Sequence, residues 1–285
     1  MANTTATDLA AGQIAMVGTA RYTYEADTVC TKLFTKMTLG AGEKSMYIPK
    51  FGTVTASDLT DGLDMTDAQQ LTITGTTHTT DEAGCKVIIT KKLRHQMKED
   101  AYRAAGRVIG NAMTKKIDTD GTALFSGLNA GVGATATTFS IDYLTAALSQ
   151  CWGQAEPVPE PMSCVMHPHV YHEIKDLLST IATGGVSDAT MDRHLLGKFR
   201  GRDKLYGTPI YVTSHCTPNA SNDSYGAVFS KMAFIYLVGW EPETWVEEDK
   251  SLRGWEIGIV SDYAMVEEDG TYGRYLLFGA SAPTS

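Results

Sequence analysis

The feature that most constrains this chain is a stretch of fifty residues, 44–93, with the composition of β-strands but few large apolar side chains. Residues 44–51 predict an outgoing strand, with Pro49 marking it as an edge strand, and 71–80 and 85–93 predict return strands. The acidic segment 58–67 lies between them. A two-stranded ribbon is marginally stable in water by itself. We therefore expect support from elsewhere, most simply from a neighbouring subunit.

The segment that follows is the strongest helix in the sequence. Residues 94–118 place apolar side chains three and four positions apart, which predicts one apolar stripe. At 1.5 Å per residue such a helix is about 38 Å long, the length of a strut across a domain. The residues expected in the stripe are Met97, Ala101, Ala104, Ala105, Val108, Ala112 and Met113.

The remaining segments predict a mixture of helices and strands. The spacing over 24–37 predicts a helix that stops before Gly40. Residues 121–240 predict a mixed α/β domain, with helices at 142–152, near a cap at Ser140 or Asp142, and from Pro168 to 178. Near the end, 255–261 is expected to pair with 263–267, and Asp269-Gly270 indicates a hairpin turn before a strand at 275–278. Short strands are expected at 163–166, 207–212, 227–229 and 234–238.

Composition excludes several classes of protein. The chain has 285 residues, 43% of them hydrophobic, so it is neither disordered nor fibrous. Its net charge of −9 argues against a general nucleic-acid binder. The sequence shows no signal peptide and no apolar run near the ~20 residues that span a membrane. The five cysteines are scattered without a CxxC pair, which indicates reduced thiols in a cytosolic assembly compartment.

One short segment matches the sequence motif of an enzyme active site. Residues 118–122 read DTDGT, like the DxDGT motif of haloacid dehalogenase-like phosphotransferases. In those enzymes the first Asp attacks phosphorus and the second acts as acid and base beside Mg²⁺. That chemistry needs both carboxylates at the end of a buried strand, whereas 111–116 have the pattern of a helix. We interpret Asp118 and Asp120 as the end of the long helix and keep a Mg-dependent phosphotransferase as an alternative.

Other candidate sites are weaker. His167, His169 and His172 could offer nitrogens to zinc, but no nearby cysteine or carboxylate set completes a site. Residues 40–45 lack the P-loop spacing, and the acidic segment lacks the alternating spacing of a calcium loop. We therefore predict no catalytic residue, no metal and no cofactor.

Basic residues are concentrated in one segment of this acidic chain. Residues 193–204 carry six basic groups, which could meet phosphates or an acidic neighbour. Two more lysines lie on the long helix. The candidate DNA-facing or inter-subunit basic residues are Lys115, Lys116, Lys198, Arg200 and Arg202.

The order of these segments resembles the major capsid proteins of tailed bacteriophages, which have the HK97-like fold. The resemblance covers nearly the whole chain and rests on the order of the segments, since each is weak by itself. Besides the long helix, the segments are YIP at 47–49, VIIT at 87–90, DGTALFSG at 120–127, CVMHPHVYHEI at 164–174 and LYGTPIYV at 205–212.

The resemblance implies an α+β fold in five parts. These are an N-terminal arm and helix (1–42), an extended loop (43–93), a spine helix in a peripheral domain (94–124), an axial domain (125–240) and return strands of the peripheral domain (241–285). It also implies that the extended loop lies over the adjacent subunit. The inter-subunit contacts expected in that loop are Pro49, Phe51, Asp58, Asp61 and Asp64.

The resemblance further implies pentamers and hexamers that tile an icosahedral shell around double-stranded DNA, assembled in the host cytoplasm. A portal protein and a separate scaffolding protein are implied partners, and a decoration protein is a further candidate; no membrane is involved. We find no match for the family's Lys–Asn crosslink. An encapsulin-type nanocompartment, which encloses enzymes, is the alternative, although the long loop and polar arm favour a virion.

Overall fold

The computed structural model describes residues 28–62, 64, 68–96, 101–182 and 204–283. The expected arm and the residues Lys198, Arg200 and Arg202 lie outside the described residues. The helices are α1 (Cys30–Leu33), α2 (Lys91–Gln96), α3 (Ala101–Ala123), α4 (Ile141–Trp152) and α5 (Pro168–Ala182). The strands are β1 (Thr35–Thr38), β2 (Ser45–Phe51), β3 (Ile73–Thr79), β4 (Asp81–Thr90), β5 (Gly131–Gly133), β6 (Met162–Met166), β7 (Lys204–Leu205), β8 (Thr208–Val212), β9 (Asp223–Ser230), β10 (Phe234–Asp249), β11 (Gly254–Glu267) and β12 (Gly273–Gly279).

Within the described ranges the strands form three sheets. A four-stranded sheet has the order β1-β10-β11-β4, and a six-stranded sheet has the order β5-β12-β9-β6-β8-β7. The third is the antiparallel ribbon β2-β3. Between β11 of the four-stranded sheet and β12 of the six-stranded sheet the chain forms a short 3₁₀ turn, Gly270–Tyr272. We use "the sheet" below for the four-stranded one.

Helix α3 lies on one face of the sheet. Ile109, Met113 and Ile117, spaced four residues apart, are buried and belong to the same cluster as Ile257 and Ile259 of β11. This cluster also contains a group of aromatic rings, in which Phe34 stacks on Phe234 with ring centroids 4.8 Å apart. The group consists of Phe34, Phe125, Phe229 and Phe234. The principal core is therefore the layer between α3 and the sheet.

The apolar stripe predicted for this helix is correct at Ala105 and Met113 but wrong at Val108 and Ala112. Val108 is 55% exposed and Ala112 is exposed, while Ile109 is buried. The buried line therefore runs through Ile109 rather than Val108, and one residue is a rotation of about 100° around a helix. Alanines fit either face, so they did not fix the register. Met113 is buried as predicted, Met97 is outside the described residues, and the side chains of Ala101 and Ala104 are not described.

The helix does not end at Asp118, contrary to the prediction. It continues to Ala123, and Asp118 is fully buried. Its Oδ1 accepts hydrogen bonds from the backbone N–H groups of Val29 (2.9 Å) and Cys30 (2.8 Å). Its Oδ2 accepts one from the Thr213 hydroxyl at 3.2 Å and lies 2.7 Å from Nδ1 of His215. One carboxylate thus joins α3 to two distant segments of chain.

One helix prediction and one strand prediction are wrong because long-range strand pairing replaces local structure. Residues 35–38 form β1, which pairs in parallel with β10, so only Cys30–Leu33 of the described part of the predicted N-terminal helix is helical. The return strand expected at 85–93 falls in β4, which pairs with β11 rather than with the ribbon. The ribbon consists of β2 and β3 alone.

The C-terminal predictions also need correction. Residues 254–267 form one continuous strand, β11, instead of two strands paired with each other. Asp269-Gly270 is not a hairpin turn, because β12 pairs with β9 and β5 in the six-stranded sheet. The expected grouping of 241–285 with the spine helix therefore fails for β12. The grouping of 125–240 as one unit likewise fails for 234–240, which lie in the sheet.

Several elements match the predictions. Helices α4 and α5 and strands β2, β6 and β8 lie where expected, although α5 extends to Ala182. Ser140 is the N-cap residue of α4, but its side chain makes no capping hydrogen bond.

The five cysteines are all free thiols. In the part of the chain that the structure describes, no helix combines the length and apolarity required to cross a membrane.

The histidines at 167–172 form a strand-to-helix junction. His167 is buried at the end of β6. Its Nδ1 accepts a hydrogen bond of 3.2 Å from the backbone N–H of His169, which lies at the start of α5. Burial, with a further contribution from the charge of His169, lowers the pKa of His167 to about 4. Among the described residues, no group of three His, Cys, Asp or Glu side chains could hold a metal ion.

We expect Asp118→Ala to lower the free energy of unfolding by about 3–5 kcal/mol, because it leaves several buried donors without an acceptor. The measurement is urea denaturation of the purified protein. Asp58→Ala is the matched control, since Asp58 is exposed, and it should change stability by less than about 0.5 kcal/mol. Equal stability of the two variants would contradict the structural role of Asp118.

We expect stability to fall as the pH drops from about 6.5 towards 4, in part because of His167. The unfolded chain binds a proton near the ordinary histidine pKa of about 6.5, whereas the folded chain takes it up only near its pKa of about 4. Between these values the unfolded state binds more protons, so acid favours unfolding. His167→Gln should flatten this slope in denaturation curves measured across that range. An unchanged slope would refute the assignment.

Candidate assembly surface on the ribbon

The ribbon is a regular antiparallel pair with a long extension. Its register runs from Ser45 opposite Thr79 to Phe51 opposite Ile73. Beyond this pair the two segments stay close, because Gln69 bridges to Thr55 through hydrogen bonds of 2.8 and 2.6 Å. The extension then leads to the acidic tip, of which 58–62 and 64 are described. The ribbon therefore presents a two-stranded base and an irregular tip.

The inner face of the ribbon packs on its own subunit. Met46 and Ile48 are half-buried against Ile235 and Leu237, which are 0% exposed. These residues of β10 point away from α3, so the ribbon covers the second face of the sheet. The expected support from a neighbouring subunit is thus replaced, for this face, by support from the same chain.

The outer face of the ribbon is apolar and exposed. Alternation along a strand turns Tyr47, Pro49 and Phe51 away from the sheet. Tyr47, Phe51 and the cross-strand Ile73 are 55%, 59% and 56% exposed. A Cβ atom on Gly75 would lie 2.5 Å from the Tyr47 side chain, so glycine lets this ring lie against β3. This row of exposed large apolar side chains makes the outer face of the ribbon a candidate interaction site.

The acidic residues predicted as contacts lie at the tip. Asp58, Asp61 and Asp64 are all exposed, and Gly62 has a positive φ of 82° that suits a turn. Val54 and Leu59 are also more than 60% exposed on the same extension. The structure thus separates the five predicted contact residues into two groups, one on the outer face and one at the tip.

The two predicted lysines of α3 differ in their surroundings. Both are exposed. The ammonium group of Lys116 binds both carboxylate oxygens of Asp120, at 2.6 and 2.7 Å. Lys115 remains the better candidate for a contact outside the subunit.

The DxDGT residues do not form a phosphotransferase site. They lie within α3 rather than at the end of a strand. Positions two apart on a helix point in nearly opposite directions. Accordingly Asp118 is in the core, while Asp120 lies near the surface, where it also accepts a hydrogen bond from the Tyr263 hydroxyl at 2.8 Å. The two carboxylates cannot act on one phosphate in this arrangement.

A second set of exposed apolar side chains, on the extension of β10, was missed in the sequence. Strand β10 continues eleven residues past the predicted end at Val238, beyond the last residue paired with β1. Trp240, Trp245 and Val246 of this extension are 42%, 43% and 61% exposed. The feature of the sequence that could have indicated these exposed side chains is a pair of tryptophans within a glutamate-rich segment, which is an unusual composition for a solvated loop.

Comparison with known proteins identifies one family. A family model described as "Phage capsid protein" matches residues 74–273. No curated protein matches the chain.

Several solved structures with a similar fold are phage capsids. The capsid of the cyanophage P-SCSP1u has a TM-score of 0.71 at 14% sequence identity, covering 93% of this chain and 92% of its own. Mycobacterium phage Che8 gives 0.71 at 15% identity, with coverages of 90% and 93%. The head of Helicobacter pylori bacteriophage KHP40 gives 0.68 at 9% identity, with coverages of 92% and 93%. These likenesses confirm the predicted α+β capsid fold, and because the family model spans well over half of the sequence, this chain belongs to the phage capsid protein family.

Proposed function

We propose that this capsid protein assembles as pentamers and hexamers into an icosahedral shell around double-stranded DNA. The observation that carries the proposal, beside family membership, is the exposed apolar outer face of the ribbon. Closed shells form when one subunit presents a surface that fits a different surface on the next copy, and symmetry repeats this contact. Many modest interfaces then add up to a stable particle.

In this proposal the ribbon lies over the adjacent subunit. Full burial of a large apolar side chain contributes about 1.5–3 kcal/mol, so Tyr47, Phe51 and Ile73 can supply most of the energy of one contact. The acidic tip adds specificity more than energy, since exposed ion pairs contribute little. Helix α3 and the sheet form the peripheral part of the subunit, and the six-stranded sheet forms the axial part.

The packaged DNA is held in this proposal as a bulk polyanion. A net charge of −9 disfavours a uniformly attractive inner wall, so contacts to phosphate fall to local groups such as Lys115 and the residues Lys198, Arg200 and Arg202. A portal protein and a separate scaffolding protein are the proposed partners, with a decoration protein as a further candidate. Assembly in the host cytoplasm agrees with five free thiols.

Purified particles distinguish this function from an encapsulin-type compartment. The protein, expressed with its scaffolding partner and imaged by electron microscopy, should form closed icosahedral shells. Particles from infected cells should contain DNA at a constant mass per shell. Particles that contain a co-purifying enzyme and no DNA would support the nanocompartment instead.

We expect deletion of residues 52–70 to leave a folded subunit that forms no closed shells. The deletion makes Leu71 and Thr72 a two-residue connection between the paired Phe51 and Ile73, the length of a tight hairpin turn. Circular dichroism and electron microscopy measure folding and assembly separately. Normal particles from this variant would contradict the proposed role of the tip.

We expect the double variant Phe51→Ser/Ile73→Ser to assemble poorly while its stability changes by less than about 0.5 kcal/mol per site, because both side chains are more than half exposed. Thr74→Ser/Thr76→Ser is the matched control, since these threonines lie on the opposite face of β3. Shell yield at fixed subunit concentration is the readout. Equal yields for the two variants would show that the outer face makes no contact.

A further inference from the structure

One ion pair ties the ribbon to the rest of the subunit. Lys50 lies on the inner face of β2, in phase with Met46 and Ile48, and its ammonium group binds the Asp269 carboxylate. The side chain of Lys50 is 53% exposed, whereas that of Asp269 is 7% exposed. Asp269 lies in the crossing between β11 and β12, where the two large sheets meet. The ion pair therefore ties the ribbon to the point where the chain crosses from one sheet to the other.

Hydrogen bonds from Thr271 hold the Asp269 carboxylate in place for the ion pair with Lys50. Its Oδ1 accepts hydrogen bonds from the backbone N–H of Thr271 at 3.0 Å and from the Thr271 hydroxyl at 2.7 Å. Its Oδ2 binds Lys50. Burial by itself would raise the pKa of Asp269, but Lys50 and the bonds from Thr271 lower it. Loss of the lysine would leave one oxygen of a buried, charged carboxylate without its partner.

The base of the ribbon is not free to lift. Ile235 and Leu237 lie beneath it and are fully buried. Lifting the base would expose both side chains to water, together with Met46 and Ile48 above them, and apolar exposure is unfavourable. We therefore distinguish the base, which is docked on its own subunit, from the tip, which extends beyond it.

We propose that Lys50 is a positioning residue for assembly: the ribbon base stays docked in the shell, and the Lys50–Asp269 pair sets the direction in which the outer face and the tip meet a second copy. This inference rests on the proposed function. A surface held in its bound geometry loses less conformational freedom when it associates. Ten extended residues from Phe51 to Asp61 span up to about 33 Å, so a tilt of about 10° at the base moves the tip by about 6 Å.

The test compares three single variants with the wild type. Lys50→Glu places a repelling charge beside Asp269, and Lys50→Arg keeps the attraction. Lys44→Glu is the matched control. Lys44 is exposed just before the ribbon, and its replacement changes the net charge by the same amount. Hydrogen exchange of the amides in 45–51 and 73–79 reports docking in the unassembled subunit. Electron microscopy of the assembly reaction reports the yield of closed shells.

We expect Lys50→Glu to speed ribbon exchange by about tenfold or more and to lower the yield of closed shells by at least a similar factor. Exchange in α3 should not change. Lys50→Arg and Lys44→Glu should remain within about twofold of the wild type in both measurements. Recovery of the yield by arginine separates the ion pair from a general effect of substitution at this site.

Two outcomes would overturn the inference while leaving the proposed function intact. In the first, Lys50→Glu exchanges and assembles like the wild type, so the pair has no influence. In the second, its ribbon exchanges faster but shells form in normal yield, so the neighbour rather than Lys50 sets the direction. Failure of the wild type to form shells with its scaffolding partner would instead overturn the proposed function itself.

Discussion

The structure depends on covering both faces of one sheet. Strands β10 and β11 carry apolar side chains on each face, and neither face can remain in water. Helix α3 covers the first face through Ile109, Met113 and Ile117. The ribbon base covers the second through Met46 and Ile48. The thinly cored ribbon is thus a third layer, packed on the sheet by residues distant in sequence. It is also the element that we propose for assembly.

The sequence predicted those elements whose signal is local. Strand β2 was predicted from the strand-forming composition of residues 44–51, and α4 from residues 142–152 with a cap at Ser140 or Asp142. The register of α3 was not predicted, because alanines and Val108 fit a stripe as well as Ile109 does. The break at Ser261-Asp262 suggested two strands, but these polar residues lie within β11, where the Ser261 hydroxyl donates to the Trp240 carbonyl at 3.1 Å.

The features of the candidate site that depend on distant partners could not be predicted. The exposure of Pro49 and Phe51 follows from alternation along one strand, so it was within reach of the sequence. The docking of Met46 and Ile48 depends on residues nearly 190 positions later, and Lys50 pairs with a carboxylate still further along the chain. Asp118 illustrates the same limit. Its neighbours in sequence match an enzyme motif, but its hydrogen-bond partners are distant in sequence and make it part of the core. These partners are Val29, Cys30, Thr213 and His215.

The period of two along a β-strand offers this protein a way to separate folding from assembly. On β2, Met46 and Ile48 alternate with Tyr47, Pro49 and Phe51, so substitutions on one face need not disturb the other. A helix would divide its surface less cleanly, because neighbouring positions lie only about 100° apart. The ribbon base can therefore stay docked on its subunit while substitutions on the outer face alter the proposed contact with the next copy. Weak hydrophobicity in 45–79 is therefore a property of a two-sided element: each face is only as apolar as its own partner requires, and neither forms a core alone.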